Sequence, residues 1–168
     1  MKIQSARRIA PLLLAAVFFT SIFSHAQENS SQFNRKDLYA AMASSNAGNV
    51  DNQLNLLKNT AIKEKPAYEG ALTMKKAGLV KGASKKLKLF KEGYKKLEAA
   101  ISKDKDNGEF RFLRLMIQEH APGILNYKDD LDKDSAYIRQ SFKKLPADVQ
   151  QAITDYSKTS KVLRSEDF

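Results

Sequence analysis

The 168-residue sequence has no cysteine and two histidines, His25 and His120, which removes most of the side chains that metal binding and nucleophilic catalysis use. Zinc sites draw on sets of Cys and His, and covalent c-type haem needs Cys-x-x-Cys-His; the sequence supplies neither. A Ser-His-Asp triad would have to use His120, whose place near a helix end suits capping or a surface position better. No G-x-x-x-x-G-K loop occurs, and no strand runs into G-x-G-x-x-G. Asp130-x-Asp132-x-Asp134 has the spacing that opens a calcium loop. Ser135 then stands where that loop needs Gly, and Ser141 where it needs Glu, so the match fails. Glycoside hydrolysis needs only two acids that meet in space, but no spacing selects a pair. The expectation is a protein without metal, cofactor or catalytic residues, and therefore not an enzyme.

Two groups of residues are left as binding candidates. Arg111, Arg114 and Gln118 recur at spacings of three and four in the apolar run Phe110–Ile117, forming one polar stripe on a helix. The stripe is either a solvent edge or a set of arginines paired with acids such as Glu98 or Asp130, since buried Arg ordinarily finds a carboxylate. The functional alternative is a concave groove of Arg111, Arg114 and Tyr94 that receives a peptide carboxylate. The second group is Lys85, Lys86, Lys88, Lys91, Lys95 and Lys96. They belong to a segment, 58 to 105, with 14 Lys, no Arg and five acids, a local charge of +9. Such a patch either keeps a domain soluble or meets an anionic polymer or membrane surface. Lys is a hydrated point charge where Arg is a bidentate fork, so an all-Lys patch without interleaved aromatics favours the solvating reading, and specific nucleic-acid binding is not expected.

The N-terminus sets the compartment in which these residues would work. Lys2, Arg7 and Arg8 precede an apolar run from Ile9 to Phe23, and Ser24-His25-Ala26 follows. Charged, apolar and small residues in that order predict a secretory signal, cleaved after Ala26. The run contains Pro11 and is shorter than the roughly 20 residues a span needs. Export places the mature chain in the periplasm or outside the cell. Of the formal charge of +10, the leader carries three positives, leaving 26 basic against 19 acidic residues. With no Cys, an exported domain must be held by its core alone.

The elements that must position the candidates read as helices, because Gly and Pro are few and no stretch alternates with β-branched enrichment. A helix is expected from Asn34 to the Ala47-Gly48-Asn49 break, and a second after Asn49 as its N-cap. Pro66 suits the first turn of a third, which runs to about Val80. Gly70 and Gly78 within it imply either close approach of a neighbouring backbone or, at Gly78, the start of a loop. From Ser84, as cap, to Lys103 the residues Leu87, Phe90, Tyr94, Leu97 and Ile101 form one apolar stripe. The run Phe110–Ile117, apolar on nearly every side, should lie at the centre of a bundle. Pro122-Gly123 ends it or kinks it, and Ile124, Leu125 and Tyr127 are expected to pack in a short turn. A helix from Asp130 and a last one from Pro146 complete the chain. Asp130, Asp132 and Asp134 complement the positive end of the first of these.

Gly93, Leu97 and Ala100-Ile101, followed by Lys-Asp-Lys-Asp-Asn107, resemble the second helix and turn of a tetratricopeptide repeat, with Lys105 where that family prefers Pro. The likeness covers about half of one repeat and implies a helical hairpin. From about Pro66 to Leu163 the chain is similar to uncharacterised exported α-helical proteins of Bacteroidota. That resemblance is carried by Leu87-Lys-Leu-Phe-Lys-Glu-Gly93, Phe110-Arg-Phe-Leu-Arg-Leu-Met-Ile-Gln-Glu119 with Ala121-Pro122, and Leu145-Pro146 leading to Ala152-Ile153-Thr-Asp-Tyr156. It implies a fold and a compartment, and no activity. The expected organisation is a signal peptide over 1–26, a flexible lead-in over 27–33, an all-α domain of six or seven antiparallel, tetratricopeptide-like helices over 34–163, and a disordered tail over 164–168. The expected function is a non-enzymatic interaction module for a peptide or protein of the cell envelope. The alternative is an electrostatic binder of anionic polymer or membrane.

Overall fold

Asparagine caps decide where the first helices begin. The computed structural model describes residues 32–168; the expected signal peptide and residues 27–31 of the lead-in lie outside them. Asn34 accepts from the Asp37 amide at 2.8 Å and opens α1 (Arg35–Ala43). Asn46 accepts from the Gly48 amide at 2.8 Å and opens α2 (Ala47–Lys58). The cap of α2 is thus Asn46, where the sequence suggested Asn49. Ala47-Gly48-Asn49 form its first turn, and Asn49 instead donates to Ser44 Oγ across the break. Pro66 sits in the first turn of α3 (Lys65–Leu79), where its missing N–H removes no helical bond. Asn107 caps α5 (Gly108–His120).

The start of α4 (Ala83–Lys103) follows a different rule. Its N-cap is Gly82 at φ +91°, a conformation open to glycine, so the expected cap Ser84 is the second residue of the first turn and is exposed. The tight reversal lays α4 back along α3. Gly70 faces Leu97 while Met74 faces Gly93, so the two helices run antiparallel. Their backbones touch: a Cβ on Gly70 would lie 2.6 Å from Leu97 N, and one on Gly93 would lie 2.5 Å from Gly70 O. Close approach is therefore the role of Gly70. Gly78 has neither expected role, being helical, exposed and with open space around it.

After α5 a 3-10 turn (Gly123–Leu125) leads to α6 (Leu131–Ser141), then a second 3-10 turn (Phe142–Lys144), α7 (Ala147–Ser157) and a last one (Ser165–Asp167). Among the described residues these seven α-helices and three 3-10 turns are the only regular elements, so the fold is all-α. None of these helices is long and apolar enough to cross a membrane. As its composition demands, α5 is central: ten of its thirteen residues are buried, and it packs on α3, α4 and α6. Its Phe112, Leu113 and Leu115 are fully buried, as are Tyr68, Leu72, Leu97, Ile138, Ile153 and Leu163 elsewhere in the chain. Each such side chain contributes about 1.5–3 kcal/mol relative to exposure.

Two expectations fail at the edges of this core. The stripe on α4 is buried only at its C-terminal end: Leu97 and Ile101 are covered, whereas Leu87 and Tyr94 are each 44% exposed. The tail over 164–168 is docked, where it was expected to be disordered. Arg139 Nε and the Arg164 amide both donate to Asp167 Oδ2 at 2.8 Å, and the Phe168 ring packs on Phe142 with centroids 4.7 Å apart. The lead-in is likewise held at its end, because Phe33 packs on Tyr68.

Two outcomes follow from these contacts. Gly70→Val should cost about 1–3 kcal/mol by overpacking, whereas Gly78→Ala should gain about 0.5–1 kcal/mol, both read by urea denaturation. The Arg164 amide and the Arg139 guanidinium hold the Asp167 carboxyl below its ordinary range. Tail docking is accordingly complete above the unfolded Asp value of about 3.9 and is lost as pH falls through the lowered folded value. NMR shifts of Phe168 should move toward random coil there, and Asp167→Asn should show the undocked shifts at neutral pH.

Candidate binding groove

Spacings of three and four put Arg111, Arg114 and Gln118 on one side of α5, the side that meets α4 and α6. Arg114 is buried. Its Nε and Nη2 grip the two oxygens of Asp134 at 2.6 and 2.7 Å, and its Nη1 reaches Glu98 at 2.9 Å and Asp130 at 3.2 Å. Burial alone would weaken the guanidinium's hold on its proton, but the Asp134, Glu98 and Asp130 carboxylates reverse that and raise its pKa. Arg111 reaches Asp134 at 3.0 Å, donates twice to the Lys105 carbonyl, and lies over the Tyr137 ring at 4.4 Å. Both arginines thus turn their donors inward. As receptors for a peptide carboxylate they are corrected, because acids of α4 and α6 already hold that position. Asp130 and Asp134 serve these arginines beyond complementing the start of α6, and Asp132 is exposed apart from them.

Above this network lies a groove of about 430 Å³ between α4 and the connection from α5 to α6. Leu87, Phe90, Lys91, Tyr94 and Glu98 form one wall. Ile124, Tyr127, Asp129 and Asp130 form the other, with Gln118 also lining it. The connection turns at Asn126, whose φ of +46° is a left-handed conformation that Asn tolerates. Tyr127 is consequently carried inward. Its hydroxyl donates to Glu98 Oε1 at 2.5 Å, and its ring meets Phe90 and Tyr94 edge-on at 5.4 and 5.3 Å. Burial and the Glu98 carboxylate keep the Tyr127 proton in place well above the ordinary tyrosine pKa.

The structure therefore brings Tyr94 and Gln118 together, sets Arg114 behind them through Glu98 and Asp130, and leaves Arg111 outside the groove. Of the six patch lysines only Lys91 lines it. At about 100° per residue, Lys85, Lys88, Lys91, Lys95 and Lys96 fall within one arc of about 140° on the outer side of α4, and Lys86 lies about 80° beyond it. All six are exposed, and Lys96 pairs with Glu69 at 2.6 Å. His120 is exposed at the end of α5, where its Nδ1 donates to the Met116 carbonyl.

A second polar cluster had no signature in the spacing. Glu109, buried in the first turn of α5, accepts from Tyr68 at 2.7 Å and Tyr39 at 3.0 Å and lies 3.2 Å from Arg35. Burial raises the Glu109 pKa, against the pull of Tyr68, Arg35 and Tyr39. Arg35 also faces Glu64 and Asp148, so the cluster ties α1 to α3, α5 and α7. Glu109 does not line the neighbouring cleft of about 570 Å³, where Arg35 faces Glu64 at 3.5 Å and Asp148 at 3.7 Å. No group of three His, Asp or Glu side chains suited to a metal ion occurs among the described residues.

Comparison with protein-family models, curated proteins and solved structures returns no match to this chain.

Arg114→Met removes the main partner of a carboxylate with no exposure and should destabilise the fold by about 3–5 kcal/mol. Asp134→Asn added to it should recover part of that loss, giving a large coupling term in a double-mutant denaturation cycle.

Proposed function

We propose that this protein is an exported, non-enzymatic helical interaction module that receives a segment of a partner polypeptide in the groove beside α4. The observation that carries the reading is the placing of exposed apolar surface. Leu87, Tyr94 and Ile124, exposed by 44%, 44% and 93%, are the exposed large hydrophobics among the described residues, and all three line this one groove. Scattered apolar residues on a surface need no explanation, whereas a contiguous set in a concavity marks a binding surface. The α3–α4 pair that presents them is read as a tetratricopeptide-like hairpin, a reading that the Gly70–Gly93 contact supports. The leader features from Lys2 to Ala26 support export to the periplasm or beyond, in keeping with the Bacteroidota proteins the chain resembles. An anionic polymer or membrane surface is the weaker alternative, because the patch has no Arg to grip an anion bidentately and Lys96 is already paired with Glu69.

A photo-reactive benzoylphenylalanine in place of Tyr94 or Ile124 should cross-link one and the same polypeptide in intact cells, and the same group in place of Lys86 should not. Neutralising Lys85, Lys86 and Lys88 to Gln should leave that cross-link intact; its loss would favour the electrostatic alternative. Sequencing of the mature protein should begin at Gln27.

A further inference from the structure

The chemistry of the groove selects the charge of what enters it. Its floor carries an acceptor without a donor: the Gln118 side chain is 1% exposed, and its amide oxygen has no hydrogen-bond partner among the described residues. An unpaired buried acceptor costs folding free energy, and such a group calls for an explanation at the place where it is kept. Here the Gln118 side chain lines the groove with its oxygen just beneath the accessible floor, so a donor has to settle deep on that floor to satisfy it. Other lining groups point the same way. Glu98 and Asp130 are engaged by Arg114, but Asp129 stands on the exposed connection outside that network. Phe90, Tyr94 and Tyr127 form an edge-to-face array, and aromatic faces attract cations. A donor that is also a cation, carried on an apolar stem, meets all of these groups at once.

Resting on the reading of the groove as a partner site, we infer that it receives an arginine or lysine side chain of a partner polypeptide flanked by apolar residues. The charged head satisfies the Gln118 oxygen and Asp129, the stem lies along Tyr94, and the flanking residues cover Leu87 and Ile124. A free amine would leave the last two uncovered, which is why the occupant is a polypeptide segment. Lys91, the one cation lining the groove among the described residues, opposes this occupant, and its effect has a sign of its own: removing it tightens binding of a cationic segment and weakens binding of an anionic one.

The test is calorimetric titration of the full chain with acetyl-Leu-Phe-Arg-Leu-Phe-amide and with the same peptide carrying Gln or Glu in place of Arg. The Arg peptide should bind about tenfold or more tighter than the Glu peptide. Asp129→Asn should weaken it about threefold and Lys91→Gln tighten it by a similar factor. Gln118→Met should weaken it about fivefold or more while raising Tm, a combination that loss of a merely structural residue does not give. Equal affinity for all three peptides, or tighter binding of the Glu peptide, would overturn the cation preference while leaving the groove as a partner site. Absence of binding by any of them would overturn the inference, and cross-linking at Tyr94 then decides separately whether the groove is used.

Discussion

A carboxylate with no solvent exposure, Asp134, sits between α5 and α6, and much of the molecule is arranged by the need to compensate it. A bare charge in that position would be untenable, so Arg114 must be buried with it. Arg114 in turn has donors to spare, which bring Glu98 of α4 and Asp130 at the head of α6 to the same point. Glu98 then fixes the Tyr127 hydroxyl and with it the connection between α5 and α6. A single ion thus sets the distance between the two walls of the groove. Hydrophobic burial decides that these helices associate, and the ion network fixes which side of each faces the other.

How far the sequence reveals this differs from place to place. Helical class, the central position of α5 and the role of Gly70 are legible because each rests on local spacing or on the steric needs of one residue type. Pairing of Arg114 with Glu98 and Asp130 is legible too, since an arginine in an apolar helix has few ways to be tolerated. Asp134 is not, because its spacing from Asp130 and Asp132 reads as helix-dipole compensation on an outer turn. The Glu109 cluster joins four helices through residues far apart in the chain, with Tyr39 and Glu109 separated by 70 positions, and no period connects them.

Tyr94 and Leu87 show why the groove itself escapes a sequence reading. Their spacing with Leu97 and Ile101 is that of a core stripe, and periodicity reports which residues share a side without telling whether a neighbour covers it. Along α4 the cover runs out, so an unbroken pattern passes from core to surface. The docked tail is the opposite case. Charged and unpatterned residues after Leu163 look like a loose end, yet Asp167 and Phe168 find partners in Arg139 and Phe142 that only the folded chain brings near.

The backbone contact between Gly70 and Gly93 has a mechanical consequence for the uncovered part of α4. Helices separated by ordinary side chains can slide, because rotamers absorb small shifts; two helices touching main chain to main chain have no such cushion. The contact therefore acts as a clamp that holds Tyr94, between Gly93 and Leu97, in a fixed place on the groove wall. A ligand that settles against a stiff wall orders little that was not already ordered, so less of its interaction free energy is lost to entropy. In this chain two missing side chains, at the contact of α3 with α4, would set how selective the groove can be.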